Sequence, residues 1–153
     1  MLDAEQKSAR RRLDALLREA PDRMLRILEE GDLSGTLTQL REAEAPGPEW
    51  VRAKARNIRF KCGCAQAGLQ GLADELRAAL AAWEAGGGED HLRTGQAELV
   101  LKQLEAKSEE LRAVRERMKT LIAQADSAEA GARQAELFQA LAQFRRFGRE
   151  ETQ

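Results

Sequence analysis

Two cysteines separated by a single residue, Cys62 and Cys64, are the first candidates for chemistry in this sequence. Cysteines that turn toward one metal ion usually have two residues between them, and a structural zinc site needs further ligands elsewhere. The only histidine, His91, lies far along the chain. The spacing predicts two reduced thiols in one helix, with Cys62 facing the core and Cys64 turned away, and it predicts no metal and no other cofactor.

His91 is the second candidate, because some helical bundles carry a phosphoryl group on a histidine. The segment from His91 to Gly95 resembles the phosphorelay histidine of histidine phosphotransfer bundles, in which a glycine follows the histidine by four positions. The lysine that precedes that glycine in the family is replaced by Thr94 here. We expect a solvated loop histidine, and phosphotransfer at His91 is kept as a further alternative.

Other catalytic patterns find no support in the sequence. A single histidine gives little basis for a Ser/His or Cys/His arrangement. The carboxylates alternate with lysines and arginines, as they do on solvated helix faces. The glycines 86–88 lack the lysine and hydroxyl residue that follow in a phosphate-binding loop. We therefore predict that the protein is not an enzyme.

The composition favours helices throughout. Ala, Leu, Glu, Arg, Gln and Lys dominate, and they lose little on entering a helix. Aromatic residues make up 4% of the chain, tyrosine is absent, and Val, Ile and Thr together number eleven, so a sheet lacks its usual side chains. The prediction is an all-α fold, a bundle or antiparallel coiled coil of four to five amphipathic helices, two of them long. The length of 153 residues predicts one domain, 1–153.

Proline and glycine divide the chain into predicted helices. Pro21 is expected to kink or restart the first helix, and Gly31 and Asp32 to end one segment and cap the next. Residues 46–48 form the first clear break, and the glycines 86–88 are expected to be a flexible joint that runs to about Thr94. The predicted helices cover about 3–20, 22–45 with a break near 31, 49–85, 96–126 and 128–147.

The segment 49–85 has the clearest pattern, because two apolar seams keep a heptad register across its whole length. One long packed helix follows from that register. Its leucines Leu69, Leu72, Leu76 and Leu80 are predicted to be groove or core positions. The seams contain Ala55, Cys62, Leu69, Leu76 and Trp83 in one row, and Val51, Ile58, Ala65, Leu72 and Ala79 in the other.

The same segment contains glycines at 63, 68 and 71, which are costly inside a helix. Each interior glycine destabilises a helix by about 0.5–1 kcal/mol relative to alanine. Two kinds of contact could compensate for that cost. One is a close helix crossing within the bundle, and the other is a groove that admits a partner helix.

Charge is balanced overall at −1, but residues 46–73 carry five basic residues against one acid. Arg52, Arg56 and Arg59 share one helix face, with Trp50 and Phe60 nearby. This stripe predicts a binding face for an acidic protein partner, with ion pairs to the first two helices as the alternative. A nucleic-acid binder would be more basic overall, so no nucleic-acid partner is expected.

Residues 13–85 resemble the FlgN-type flagellar export chaperones, which are cytoplasmic helical hairpins or bundles. The resemblance lies in a leucine-rich first helix that leads to the Gly31-Asp32 step, a Pro/Gly break, and the stretch Arg56-Asn57-Ile58-Arg59-Phe60. It implies a protein that holds hook-filament junction proteins before their secretion by the type III apparatus. It also adds Asn57 and Phe60 to the candidate partner-binding residues.

The leading hypothesis is a non-enzymatic protein that sequesters an amphipathic helix of a client by helix-in-groove recognition. A structural coiled-coil or adaptor protein without a chaperone role is the first alternative. The charged segment 1–5 and the absence of a long apolar run predict a cytoplasmic protein without a membrane partner. A homo-oligomer is compatible with the heptad seams.

Overall fold

The computed structural model describes residues 3–88, 90–129 and 134–152, and within these ranges it contains helices and no strand. This confirms the predicted all-α fold. Part of the predicted last helix, residues 130–133, lies outside the described residues. The helices are α1 Ala4–Glu29, α2 Leu33–Glu42, α3 Pro48–Ala85, α4 His91–Glu129 and α5 Gln134–Thr152.

The predicted restart of the helix at Pro21 is wrong, because α1 continues through it. A proline inside a helix removes one backbone hydrogen bond and costs on the order of 3 kcal/mol. Packing on both sides of the proline offsets that cost. Leu13 and Leu16 belong to a core cluster before it, and Ile27 lies against Gly68 of α3 after it. The helix stays continuous because both of its ends pack on α3.

The step from α1 to α2 lies where the sequence places it. Gly31 and Asp32 both adopt positive φ, at 78° and 55°, which breaks the helical path between α1 and α2. The Asp32 carboxylate then accepts a hydrogen bond from the Gly35 amide at 3.2 Å, and its carbonyl accepts one from the Thr36 hydroxyl at 3.0 Å. Asp32 therefore caps α2 as predicted, although from a left-handed conformation that is unusual for a cap.

The glycines 86–88 end α3, and the break that follows is shorter than the predicted joint to about Thr94, because α4 begins at His91. The Gly88 amide donates to the Trp83 carbonyl and the Gly87 amide to the Glu84 carbonyl, both at 3.0 Å. With Gly87 at a φ of 83°, this is the paired hydrogen-bond pattern of a Schellman motif. A side chain at Gly88 would overlap the Trp83 ring. The motif satisfies the last carbonyls of α3.

The fourth helix begins five residues before its predicted start, at His91 instead of residue 96. Asp90 explains the earlier start, since its carboxylate accepts hydrogen bonds from the amides of Leu92 at 3.0 Å and Arg93 at 3.4 Å. An aspartate at this position satisfies donors that the helix itself leaves unpaired.

The chain divides into two compact units. Residues 1–28 and 65–110 form the first, which contains α1 with the C-terminal half of α3 and the N-terminal half of α4. The prediction of one domain stays a prediction. The core cluster of the first unit consists of Leu13, Leu16, Leu76, Ala79, Trp83 and Ala97.

Residues 29–64 and 111–153 form the second unit. Leu40 of α2, Ile58 of α3 and Met118 of α4 are all fully buried there. The last helix, α5, buries Leu137, Leu141 and Phe144 at spacings of four and three. The Arg41 guanidinium lies 5.2 Å from the centre of the Phe144 ring, and Arg145 donates to the Ala43 carbonyl at the end of α2. These contacts hold α5 against α2.

The small-residue run of α3 has two different surroundings. A β-carbon added at Gly68 would lie 3.0 Å from the Ile27 side chain, so this glycine is the site of a close crossing of α1 and α3. A β-carbon added at Gly71 would meet nothing within 4 Å. The crossing therefore accounts for Gly68, and it does not account for Gly71.

Replacing Gly68 with Gln is expected to lower the free energy of unfolding by about 1–3 kcal/mol, because the side chain would overfill the crossing. The matched control is Gly95→Gln on α4, where an added β-carbon meets nothing within 4 Å. That variant should gain about 0.5 kcal/mol from helix propensity. Urea unfolding measures both changes. Equal effects of the two substitutions would mean that α1 does not pack closely at Gly68.

Candidate partner-binding surface

One side of the N-terminal half of α3 is turned into the core of the second unit. Val51, Ala55, Ile58 and Cys62 are each 0% exposed. They recur at intervals of three and four residues, as the inner positions of a packed helix do. Their burial fixes the rotation of α3 and thereby decides which side chains point away from the unit.

Polar side chains next to this buried stripe connect α3 to its neighbours. The Lys54 and Lys61 ammonium groups donate to the Gln39 and Thr36 side chains of α2, at 2.9 and 2.8 Å. On the other flank, Arg52 pairs with Asp126 of α4 at 3.1 Å. The ion-pair alternative therefore holds for Arg52, although with an acid of α4 and not of the first two helices. Arg52 is tied to the fold as well as lying on the predicted stripe.

Aromatic, basic and amide side chains are exposed on the outward side of this half of α3. We call Trp50, Arg56, Asn57, Arg59 and Phe60 the outer face of α3. Phe60 is 70% exposed, and Leu92 of α4 is exposed to the same fraction. Within the described residues, neither Arg56 nor Arg59 has a carboxylate at ion-pair distance. The outer face thus combines uncovered aromatic surface with positive charge.

Trp50 lies at the edge of this face and is partly covered. It is 36% exposed, and the Lys54 ammonium lies 5.7 Å from the centre of its ring. A cation above an aromatic ring contributes about 0.5–1 kcal/mol at exposed sites. Lys54 therefore keeps a positive charge close to the Trp50 edge of the outer face.

The predicted leucines do not belong to this face. Leu69 and Leu72 are each 1% exposed and Leu76 is 0% exposed, which makes them core residues. Leu80 is partly buried and packs against the core cluster of the first unit. Of the two roles that the sequence leaves open for these leucines, groove or core, the structure gives them the second.

A groove of about 350 Å³ lies in the first unit, between α3 and α4, and Leu69 is part of its lining. Its lining also contains Arg77 and Glu105, which pair with each other at 3.4 Å. Arg77 contacts Asp74 as well, at 3.5 Å. Because charged side chains surround this groove and satisfy one another, it is poorly suited to an apolar helix.

The two cysteines occupy different environments, as predicted. Cys62 is fully buried, whereas Cys64 is exposed. Burial raises the pKa of the Cys62 thiol to about 11, and the nearby Arg115 guanidinium opposes that rise. At neutral pH Cys62 is therefore a protonated, apolar core residue. Among the described residues, no three His, Cys, Asp or Glu side chains are grouped closely enough to hold a metal ion.

His91 is exposed, but it is the first residue of α4 and not part of a loop as expected. The cap formed by Asp90 immediately before it explains the difference. In the phosphotransfer family the histidine lies in the middle of a helix. The terminal position of His91 separates it from that arrangement.

No family model, curated protein or solved structure matches this chain. The resemblance to the flagellar export chaperones therefore stays a prediction. No helix among the described residues combines the length and the apolar character needed to cross a membrane.

Two features of the surface are missing from the sequence interpretation. One is the Arg52–Asp126 pair, which joins residues 74 positions apart and leaves no local signal. The other is the regular repeat of outward residues along α3, where Trp50, Asn57, Cys64 and Gly71 recur every seven residues. That repeat is readable from the heptad register, because it lies opposite the two buried seams.

Replacing Cys62 with Ser should cost about 1–3 kcal/mol of stability, since it places a hydroxyl in an apolar site. Cys64→Ser should change stability little, and thermal unfolding compares the two.

The raised pKa of the Cys62 thiol makes the stability of the wild type depend on pH. The folded state holds the Cys62 proton more tightly than the unfolded state, so stability should fall as pH rises from 9 to about 11.

Cys62→Ala is the control for that pH effect, because it has no thiol to titrate. The difference in stability between wild type and Cys62→Ala should narrow over the same alkaline interval. A constant difference would show that Cys62 is not the group responsible.

Proposed function

We propose that this protein is a non-enzymatic cytoplasmic chaperone that sequesters an amphipathic helix of a secreted client. The client helix lies along the outer face of α3. The exposed Phe60, flanked by Arg56 and Arg59 without acidic partners in the described chain, is the observation that carries the proposal.

Phe60 supplies the apolar contact of the outer face. Covering its exposed surface would remove roughly 140 Å² from water, worth roughly 3 kcal/mol before the costs of association. A free protein that leaves such a side chain in water gains nothing from it in folding. A partner that supplies an apolar stripe would recover that energy.

The basic residues of α3 indicate which kind of client helix would bind. The N-terminal half of α3, residues 48–66, contains five basic residues and one acid. Lys54, Lys61 and Arg52 are engaged with neighbouring helices, so Arg56 and Arg59 are the basic residues directed outward. A client helix with acids beside its apolar stripe would complement them, and rim charges of this kind act mainly on the association rate.

The flagellar part of the proposal is supported by the position of the resembling residues. In the stretch Arg56–Phe60, Ile58 is buried and the other four are exposed, so most of that stretch is available to a partner. The Gly31-Asp32 step of the resemblance coincides with a real helix boundary. The proposed clients are accordingly the hook-filament junction proteins.

The experiment measures binding of a synthetic acidic amphipathic helix and of the terminal helices of junction proteins encoded in the same genome. Phe60→Ser should weaken binding roughly tenfold or more, as expected for an aromatic anchor. Arg56→Glu with Arg59→Glu should slow association, and added salt should reduce the difference from wild type. The melting temperature should change little in either variant.

Two controls make this test specific. A peptide of the same apolar pattern with its acids replaced by lysines should not bind. Leu99→Ser removes an exposed leucine of α4 and should leave binding unchanged. Equal binding of the acidic and basic peptides, or an effect of Leu99→Ser equal to that of Phe60→Ser, would contradict the proposed face.

A further inference from the structure

The outward side of α3 carries a second heptad pattern, opposite the buried one. Ten residues make up this second pattern, and all of them are exposed. Only Asn57 and Asp74 are polar. We call these ten positions the outer seam of α3: Trp50, Ala53, Asn57, Phe60, Cys64, Ala67, Gly71, Asp74, Ala78 and Ala81.

Side-chain size changes along this seam. The two aromatic residues, Trp50 and Phe60, lie in the N-terminal half of α3. The C-terminal half of the seam consists of small residues and one aspartate. One of these small residues is Gly71, where an added β-carbon would meet nothing within 4 Å. Large side chains therefore project from the N-terminal half of the seam, and the small residues of the C-terminal half leave space for such side chains.

The two halves of α3 also differ in charge. Residues 48–66 contain five basic residues and one acid, whereas residues 67–85 contain three acids and one basic residue. Two copies of the N-terminal half placed together would repel each other. Counted over α3 alone, the N-terminal half of one copy and the C-terminal half of another carry opposite net charge, although Glu75 already pairs with Arg23 of α1 and Asp74 with Arg77.

We propose that a second copy of this chain covers the outer seam, with the two α3 helices antiparallel and centred between Ala65 and Gln66. This register puts Phe60 of each copy opposite Gly71 of the other, and Trp50 opposite Ala81. Asn57 then faces Asp74, so that the amide of one copy donates to the carboxylate of the other. Ala53 faces Ala78, and Cys64 faces Ala67.

Other registers fit less well. A shift of one heptad in one direction puts Trp50 against Asp74, and a shift in the other direction puts Asp74 against Cys64. Both shifts separate Asn57 from Asp74 and leave each polar group against an apolar neighbour. A single polar pair within an apolar seam is a known means of fixing register and partner number in coiled coils.

The second copy and the proposed client would cover the same residues, Arg56 and Phe60 among them. The acidic half of α3 in the second copy then holds the place that an acidic client helix takes when it binds. The dimer does not depend on the client proposal, because its complementarity comes from α3 alone.

Cys64 provides a direct test in the natural chain. In the proposed register the two Cys64 residues are three positions apart along the helix axis, about 4.5 Å. A short bifunctional maleimide should join them and give a covalent dimer, while the buried Cys62 stays unreacted. Cys64→Ser should abolish the product. Cys64→Ser with Ser34→Cys, which moves the exposed thiol to α2, should cross-link only at the background level.

Gly71→Arg tests the register by sedimentation equilibrium. The new side chain meets open space in one copy, but it would face Phe60 and the basic half of the other. Dimer affinity should fall about tenfold or more, with the helical circular dichroism signal retained. Ala106→Arg on an exposed position of α4 is the control and should dimerise as wild type.

A wild-type protein that stays monomeric would overturn the dimer, as would cross-linking at Cys64 no stronger than at the relocated thiol. A dimer unaffected by Gly71→Arg would also overturn it. A monomeric protein that still binds the acidic peptide leaves the chaperone proposal standing. A dimer that binds no acidic peptide supports the second-copy proposal and contradicts the chaperone.

Discussion

The buried side of α3 is the constraint on which the rest of this structure depends. Ile58, Leu69 and Leu76 are each at most 1% exposed, and they lie along one heptad register. The two compact units both take part of their core from this helix. Once that side is buried, the rotation of α3 is fixed. The outward position of Phe60 follows from the same rotation, and so does the open space at Gly71.

Local interactions decide where the helices begin and end. Asp32 and Asp90 accept hydrogen bonds from the first amides of α2 and α4, and Gly87 closes α3 with a positive φ. These short interactions satisfy backbone groups that a helix cannot satisfy itself. Pro21 shows the opposite case, because packing against α3 on both sides keeps α1 continuous. Long-range burial there outweighs the local preference for a break.

The folded chain leaves the outer face of α3 uncovered, and for this reason we connect the face with binding. Arg52, Lys54 and Lys61 support the fold through partners on neighbouring helices. Arg56, Arg59 and Phe60 contribute no such contact within the described chain. A side chain that is costly to leave in water and unused by the fold is a natural contact for another helix, whether of a client or of a second copy.

The sequence by itself determined the helical class, the heptad burial of α3, the boundary at Gly31 and Asp32, and the opposite environments of Cys62 and Cys64. These features depend on periodicity and on residues close together in the chain. Only the tertiary structure decided that Leu69, Leu72 and Leu76 are core and not an open groove, since periodicity gives the direction of a side chain but not what lies beyond it. It also decided that Arg52 pairs with Asp126, because two residues separated by 74 positions meet only after the helices have packed.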